Sequence, residues 1–92
     1  MSLTVEQQAI SDVCEQIKSL LLEKNRKYGN SALQPLRVFS RAGAEEQMLV
    51  RMDDKLSRIK NRQDDDDEDP FMDLAGYLIL FMANRRINEA QK

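Results

Sequence analysis

A chain of 92 residues allows one domain, and a domain that small buries only roughly 60 to 65% of its unfolded surface, so its core is marginal and oligomerisation is a natural remedy. The net charge of −2, from 14 basic and 16 acidic residues, lacks the basic excess behind duplex nucleic-acid affinity and leaves small ligands as the expected partners. A single cysteine, Cys14, excludes an internal disulfide and a zinc ribbon and fits a reducing compartment, while the lack of histidine leaves acid–base or metal chemistry to carboxylates, whose hard oxygens suit magnesium or manganese.

Thr4 followed three residues on by Gln7 reads as a capping box, and Ile10, Val13, Cys14, Ile17, Leu20, Leu21 and Lys24 continue at helical spacing. The first helix is therefore expected over about residues 4 to 27, ended by Gly29 and Asn30, which both tolerate a left-handed backbone. Cys14 lies on the apolar stripe of this helix and reads as a structural core thiol. From Asn30 to Gly43 the sequence predicts a loop with one short turn opened by Pro35 around Leu36, Val38 and Phe39. Either that loop is functional, or Leu33, Leu36 and Phe39 simply lid the core.

The second helix is expected over about 44 to 62, with Met48, Leu49, Met52, Leu56 and Ile59 as its apolar stripe. At ~100° per residue, Arg51, Lys55, Arg58 and Arg62 gather on a neighbouring stripe, and Asp54 falls nearly opposite the core with Val50, Ser57 and Asn61. Residues 64 to 69, DDDDED, read as a solvated acidic turn, and Asp69-Pro70 as a helix start with Asp as N-cap and Pro at the first helical position. Helix three follows over about 70 to 89. Its segment from Leu74 to Ala83 is apolar almost all round, which a three-helix monomer cannot cover. These elements predict a single all-α domain over residues 1 to 92, a long helical hairpin plus one helix, that oligomerises into a bundle with helix three central. No apolar run approaches the ~20 residues of a membrane span, and the expected location is cytoplasmic.

Three groups of residues carry possible chemistry. Asp69, Asp73 and Tyr77 recur every four residues along helix three, where two carboxylates a turn apart can share a divalent cation, with Asp53 or Asp54 of helix two completing the set from across the bundle. The competing reading is that Asp69 caps the helix and Asp73 meets the positive end of its dipole. Arg51, Lys55, Arg58 and Arg62 could line a phosphate pocket, or form an exposed basic stripe balanced by the acidic turn. Lys24, Asn25, Tyr28 and Asn30 cluster at the end of helix one, where an aromatic ring with amide and ammonium neighbours could stack a base and bind phosphate; alternatively, the basic residues there complement the negative helix end.

The blocks KNRKYGNSAL, RVFSRAGAEEQMLVRMDDKLSRIKNR and DEDPFMDLAGYLIL, in that order, resemble the small phage and bacterial proteins of the nucleotide modification associated domain 1 family and, more distantly, MazG-type all-α nucleoside triphosphate pyrophosphohydrolases. The resemblance covers about residues 23 to 82. It matches Lys24, Asn25, Tyr28 and Gly29 to a KNxxYG block, Asp54, Lys55 and Arg58 to a DKxxR block, and Asp73 with Tyr77 to a DxxxY block. What it implies is a helical oligomer of phage or prophage type linked to nucleotide metabolism. MazG-type enzymes bind magnesium through ExxE and ExxD pairs on successive helices, and here Glu45 and Glu46 have no acid three residues on.

The expectation is thus a nucleotide-binding protein, in its catalytic version a Mg²⁺-dependent hydrolase with Asp54, Asp69 and Asp73 on the metal. Lys55 and Arg58 would hold the phosphates, and Lys24, Asn25, Tyr28 and Asn30 the rest of the nucleotide. In that version, replacing Asp73 with Asn abolishes turnover and leaves the fold intact. The alternatives are a non-catalytic module that binds a nucleotide or nucleotide-derived signal, and a structural protein whose apolar helix three serves a partner chain.

Overall fold

The capping box forms as the sequence places it. The Thr4 hydroxyl accepts from the Gln7 amide at 3.1 Å, and the Thr4 amide donates to the Gln7 side chain at 3.0 Å. Two otherwise unpaired donors are satisfied, and α1 runs from there over Val5–Tyr28. Asp69 starts the third helix in the same way, accepting from the Phe71 amide at 2.9 Å with Pro70 behind it. The computed structural model describes residues 2–61 and 69–91 and holds three helices: α1, α2 over Ala44–Asn61 and α3 over Pro70–Ala90. No strand occurs among the described residues, so the protein is all-α. The acidic run 64 to 68 and Arg62 lie outside the described residues.

Helix α3 is the centre. It packs along α2 and, over a shorter stretch, against α1, while α1 and α2 share no tertiary packing of their own among the described residues. On α3 the contact face carries Asp73, Gly76, Leu80 and Asn84, of which Gly76 and Asn84 are buried. Gly76 lets α1 approach closely, for a β-carbon there would stand 3.3 Å from Cδ2 of Leu21. On α2 the buried residues are Met48 and Met52, with Ile59 half-buried in line with them. Leu49 and Leu56, expected in that stripe, are exposed. None of the three helices is long and apolar enough to cross a membrane.

The apolar stripe of α1 is covered only in part. Ile17 is buried and Leu21 half-buried, but Ile10 and Val13, on the same face two turns earlier, are exposed, so the covered stretch of α1 is its C-terminal half. Cys14 goes with them. It is exposed and is not the core thiol that the periodicity suggests.

The connection between α1 and α2 also departs from expectation. Its turn lies before Pro35, over residues 29 to 33, where the Asn30 carbonyl accepts from the amides of Leu33 and Gln34 at 2.9 and 2.7 Å. Those two bonds complete a turn directly after the helix, and Pro35 follows in irregular chain that bends at Val38 and Phe39. Leu33 is half-buried, but Leu36 and Phe39 stand out in solvent and lid nothing in this chain.

Gly29 makes the change of direction possible. Its φ of +70° with ψ of −153° is a backbone conformation open to glycine and strained for any other residue, and its amide closes α1 by donating to the Asn25 carbonyl at 2.7 Å. Nothing lies within 4 Å of where a β-carbon would sit. Gly29→Ala should therefore cost about 1–3 kcal/mol through backbone strain alone, read as a lower urea midpoint with an unchanged slope; an unchanged midpoint would mean that the turn relaxes freely.

Candidate functional site

The last turns of α1, the turn at 29 to 33, the middle of α2 and the N-terminal half of α3 line an open cavity of about 370 Å³. Leu20, Leu21, Leu33, Met72 and Leu80 form its apolar surface, and Gly76 keeps the floor open. Its polar groups come from every side: Lys24 and Asn25 from α1, Asn30 and Ser31 from the turn, Arg51 and Lys55 from α2, and Asp73 from α3. Tyr28 and Tyr77 add an aromatic ring at each side. The volume falls within the range of small-molecule sites, as does the pattern of an apolar wall with a few convergent polar groups.

Lys55 and Asp73 form the structural centre of this site. The Lys55 ammonium lies 3.3 Å from Oδ2 of Asp73, and their side chains are only 13% and 14% exposed. Lys55 does not sit on a separate basic stripe. At ~100° per residue it falls about 20° from Met48, at the edge of the stripe of Met48, Met52 and Ile59 that α2 turns to α3. A lysine at a core-facing position requires a counter-charge, and Asp73 supplies it from the contact face of α3.

The other expected ligands divide. Lys24, Asn25, Tyr28 and Asn30 all line the cavity, and so does Arg51. Asn25 uses its amide donors on the turn, reaching the Asn30 side-chain oxygen at 2.7 Å and the Gly29 carbonyl at 3.3 Å. Asn25 and Asn30 therefore shape the rim. Tyr28 is 65% exposed, with the Lys27 ammonium 5.4 Å from its ring centroid. Arg26, two residues before it, is held by Glu23, whose carboxylate accepts from its Nε and Nη2; the guanidinium keeps the Glu23 carboxyl below its ordinary range. Arg58 is not among the lining residues and instead lies 3.5 Å from Asp54 on the outer side of α2.

The three carboxylates expected to share a cation do not meet. Asp54 faces outward beside Arg58, Asp69 caps α3 through the Phe71 amide, and Asp73 is engaged by Lys55. Among the described residues no three acidic or thiol side chains form a group that could hold a metal ion. The structure thus places the three carboxylates apart, with the Lys55 ammonium as the cation beside Asp73.

Two contributors escaped the sequence reading. Gly76 reads only as a weak position in an apolar helix, and nothing in the local pattern says that α1 crosses there. Ser31 sits in a turn that the sequence places later in the loop. Comparison with family models, curated proteins and solved structures returned no match to this chain.

Because Lys55 and Asp73 join α2 to α3 from positions with little solvent, removing either charge alone should destabilise the fold. Lys55→Met and Asp73→Leu should each cost about 1–3 kcal/mol, and the double variant should recover much of the loss. Chemical denaturation of the four-member cycle measures the coupling. Strictly additive losses would deny that the pair acts as a unit.

Proposed function

We propose that this chain is a nucleotide-binding protein that works as a homo-oligomer, and that its ligand occupies the cavity between α1, α2 and α3. The observation that carries the reading is the convergence of Lys24, Arg51 and Lys55 with the rings of Tyr28 and Tyr77 on one partly apolar cavity. Each part has a chemical counterpart in a nucleotide. Ammonium and guanidinium groups bind phosphate oxygens, the guanidinium in a bidentate way. An accessible tyrosine ring stacks a base, and the leucines that back the cavity exclude water from the contact. The three sequence blocks that resemble the nucleotide modification associated domain 1 family supply most of this lining, and that likeness supports the same reading.

Between the catalytic and the binding version, the charges favour binding. Against three cations the cavity sets one carboxylate, Asp73, which is already paired. Phosphates would meet Lys24 and Arg51 first and then compete with Asp73 for Lys55. Affinity in such a site is electrostatic and needs no divalent ion to neutralise the ligand. The self-association rests on surface: the accessible area is 7818 Å², whereas a folded monomer of 10.7 kDa exposes about 5,500 Å².

The test is titration with nucleoside mono-, di- and triphosphates, followed by calorimetry and by ³¹P NMR, with magnesium and again with EDTA. Binding that survives EDTA, weakens with salt and leaves the phosphates intact is the expected result. Lys24→Ala and Arg51→Ala should each weaken it by about 10-fold or more, the worth of one charge-assisted hydrogen bond. Arg58→Ala should leave it unchanged. Magnesium-dependent release of pyrophosphate would replace the binding reading by the hydrolytic one, and unchanged spectra with every nucleotide would remove both.

A further inference from the structure

Helix α3 has two apolar faces, and this chain covers one. Taking ~100° per residue, the contact face with Asp73, Gly76, Leu80 and Asn84 centres about 180° from a second line formed by Phe71, Ala75, Leu78 and Met82. On that second line Phe71 is 65%, Leu78 48% and Met82 61% exposed. Their spacing, in steps of four, three and four residues, is that of a helix–helix seam.

We infer that this outer stripe is the interface with a second copy of the chain, the two α3 helices lying antiparallel so that Phe71 of each copy packs against Met82 of the other and Ala75 against Leu78. The inference rests on the self-association proposed above and goes further by naming the surface, the occupant and the direction. Area supports a second copy as occupant. The chain exposes 7818 Å², about 2,300 Å² beyond the expectation for a monomer of its mass, and a stable interface takes about 800 Å² from each partner.

Charge sets the direction. Asp69 caps the N-terminal end of α3, while Arg86 lies exposed beside the stripe near its other end; Arg85, next to it, is taken up within the chain by Glu45 at 3.2 Å and by the Phe81 ring. Parallel helices would bring the two acidic ends together. Antiparallel helices bring Arg86 of each copy towards Asp69 at the N-terminal end of the other, and a two-fold axis makes both contacts at once. Apposition of Ala75 and Leu78 near that axis sets small against large and lets the helices come close. The cavity opens on the contact side of α3, so assembly through the outer stripe leaves it accessible.

The experiment combines sedimentation with cysteine cross-linking, in Cys14→Ser protein so that the exposed native thiol cannot interfere. The parent should sediment as a dimer or larger species. Leu78→Glu should weaken association by about 100-fold or more with unchanged helicity, because its side chain is half-exposed in the protomer. Ile10→Glu in the N-terminal half of α1 should not. Under mild oxidation, Phe71→Cys mixed with Met82→Cys should give a mixed disulfide, and neither variant should link to itself. A monomeric parent would remove the self-association reading altogether. An associating parent that resists Leu78→Glu but dissociates with Ile10→Glu would keep that reading and overturn the α3 interface, and self-linking of Phe71→Cys would overturn the antiparallel direction.

Discussion

A lysine placed among the methionines of α2 is the constraint around which this protein is organised. Lys55 shares the inward stripe with Met48, Met52 and Ile59, and an ammonium there is tolerable only with a carboxylate in reach. Asp73 provides it, and so fixes both the rotation of α2 and the height at which α3 crosses it. A purely apolar contact would permit several helix registers at similar energy, whereas a hydrogen-bonded charge pair with little solvent tolerates far fewer. The same two side chains form part of the cavity wall. Whatever binds there meets a lysine whose position is already determined, which limits the ordering cost of binding.

The other wall is set by two glycines. Gly76 removes a side chain where α1 crosses α3, bringing Leu21 and Lys24 over the inner face of the bundle, and Gly29 then turns the chain so that Asn30 to Leu33 close one end. Asn25 locks that turn through Asn30 and Gly29. A cavity made this way owes its shape to backbone geometry and its charge to α2. These are separable properties, since Arg51 touches the cavity without holding the turn, whereas Asn25 does both.

Much of the architecture could be read from the residues, and the failures share one cause. The Thr4–Gln7 box, the Asp69-Pro70 start and the Gly29 stop are local signals, and the helices begin and end within a residue or so of them. The grouping of Lys24, Asn25, Tyr28, Asn30 and Lys55 in one cavity also follows the sequence blocks. What failed needed knowledge of which helix faces which. Arg58 and Lys55 are three residues apart and look equivalent in a basic run, yet one points to Asp54 at the surface and the other into the α2–α3 contact. Asp54, Asp69 and Asp73 look adjacent in the pattern, yet the fold sets Asp54 beside Arg58, Asp69 at the helix cap and Asp73 beside Lys55. Cys14 obeys helical periodicity, but the length over which α1 touches a neighbour is a tertiary property, and Cys14 lies beyond it.

The chain exposes more surface than a folded monomer of its mass. With Ile17, Met48 and Met52 as its buried apolar side chains, the described protomer has little core for its length, and its radius of gyration of 15.3 Å exceeds the roughly 12 Å of a compact chain this long. Such a protomer gains stability most cheaply by sharing surface with another chain. The inner face of α3 is committed to α2, α1 and the cavity. Its outer face leaves Phe71, Leu78 and Met82 in solvent, so the proposed assembly and the proposed ligand would fall on opposite sides of one helix. In the proposed assembly, a helix held rigid on one side would keep Asp73, and through it Lys55, in place on the other, and self-association would then act directly on the site.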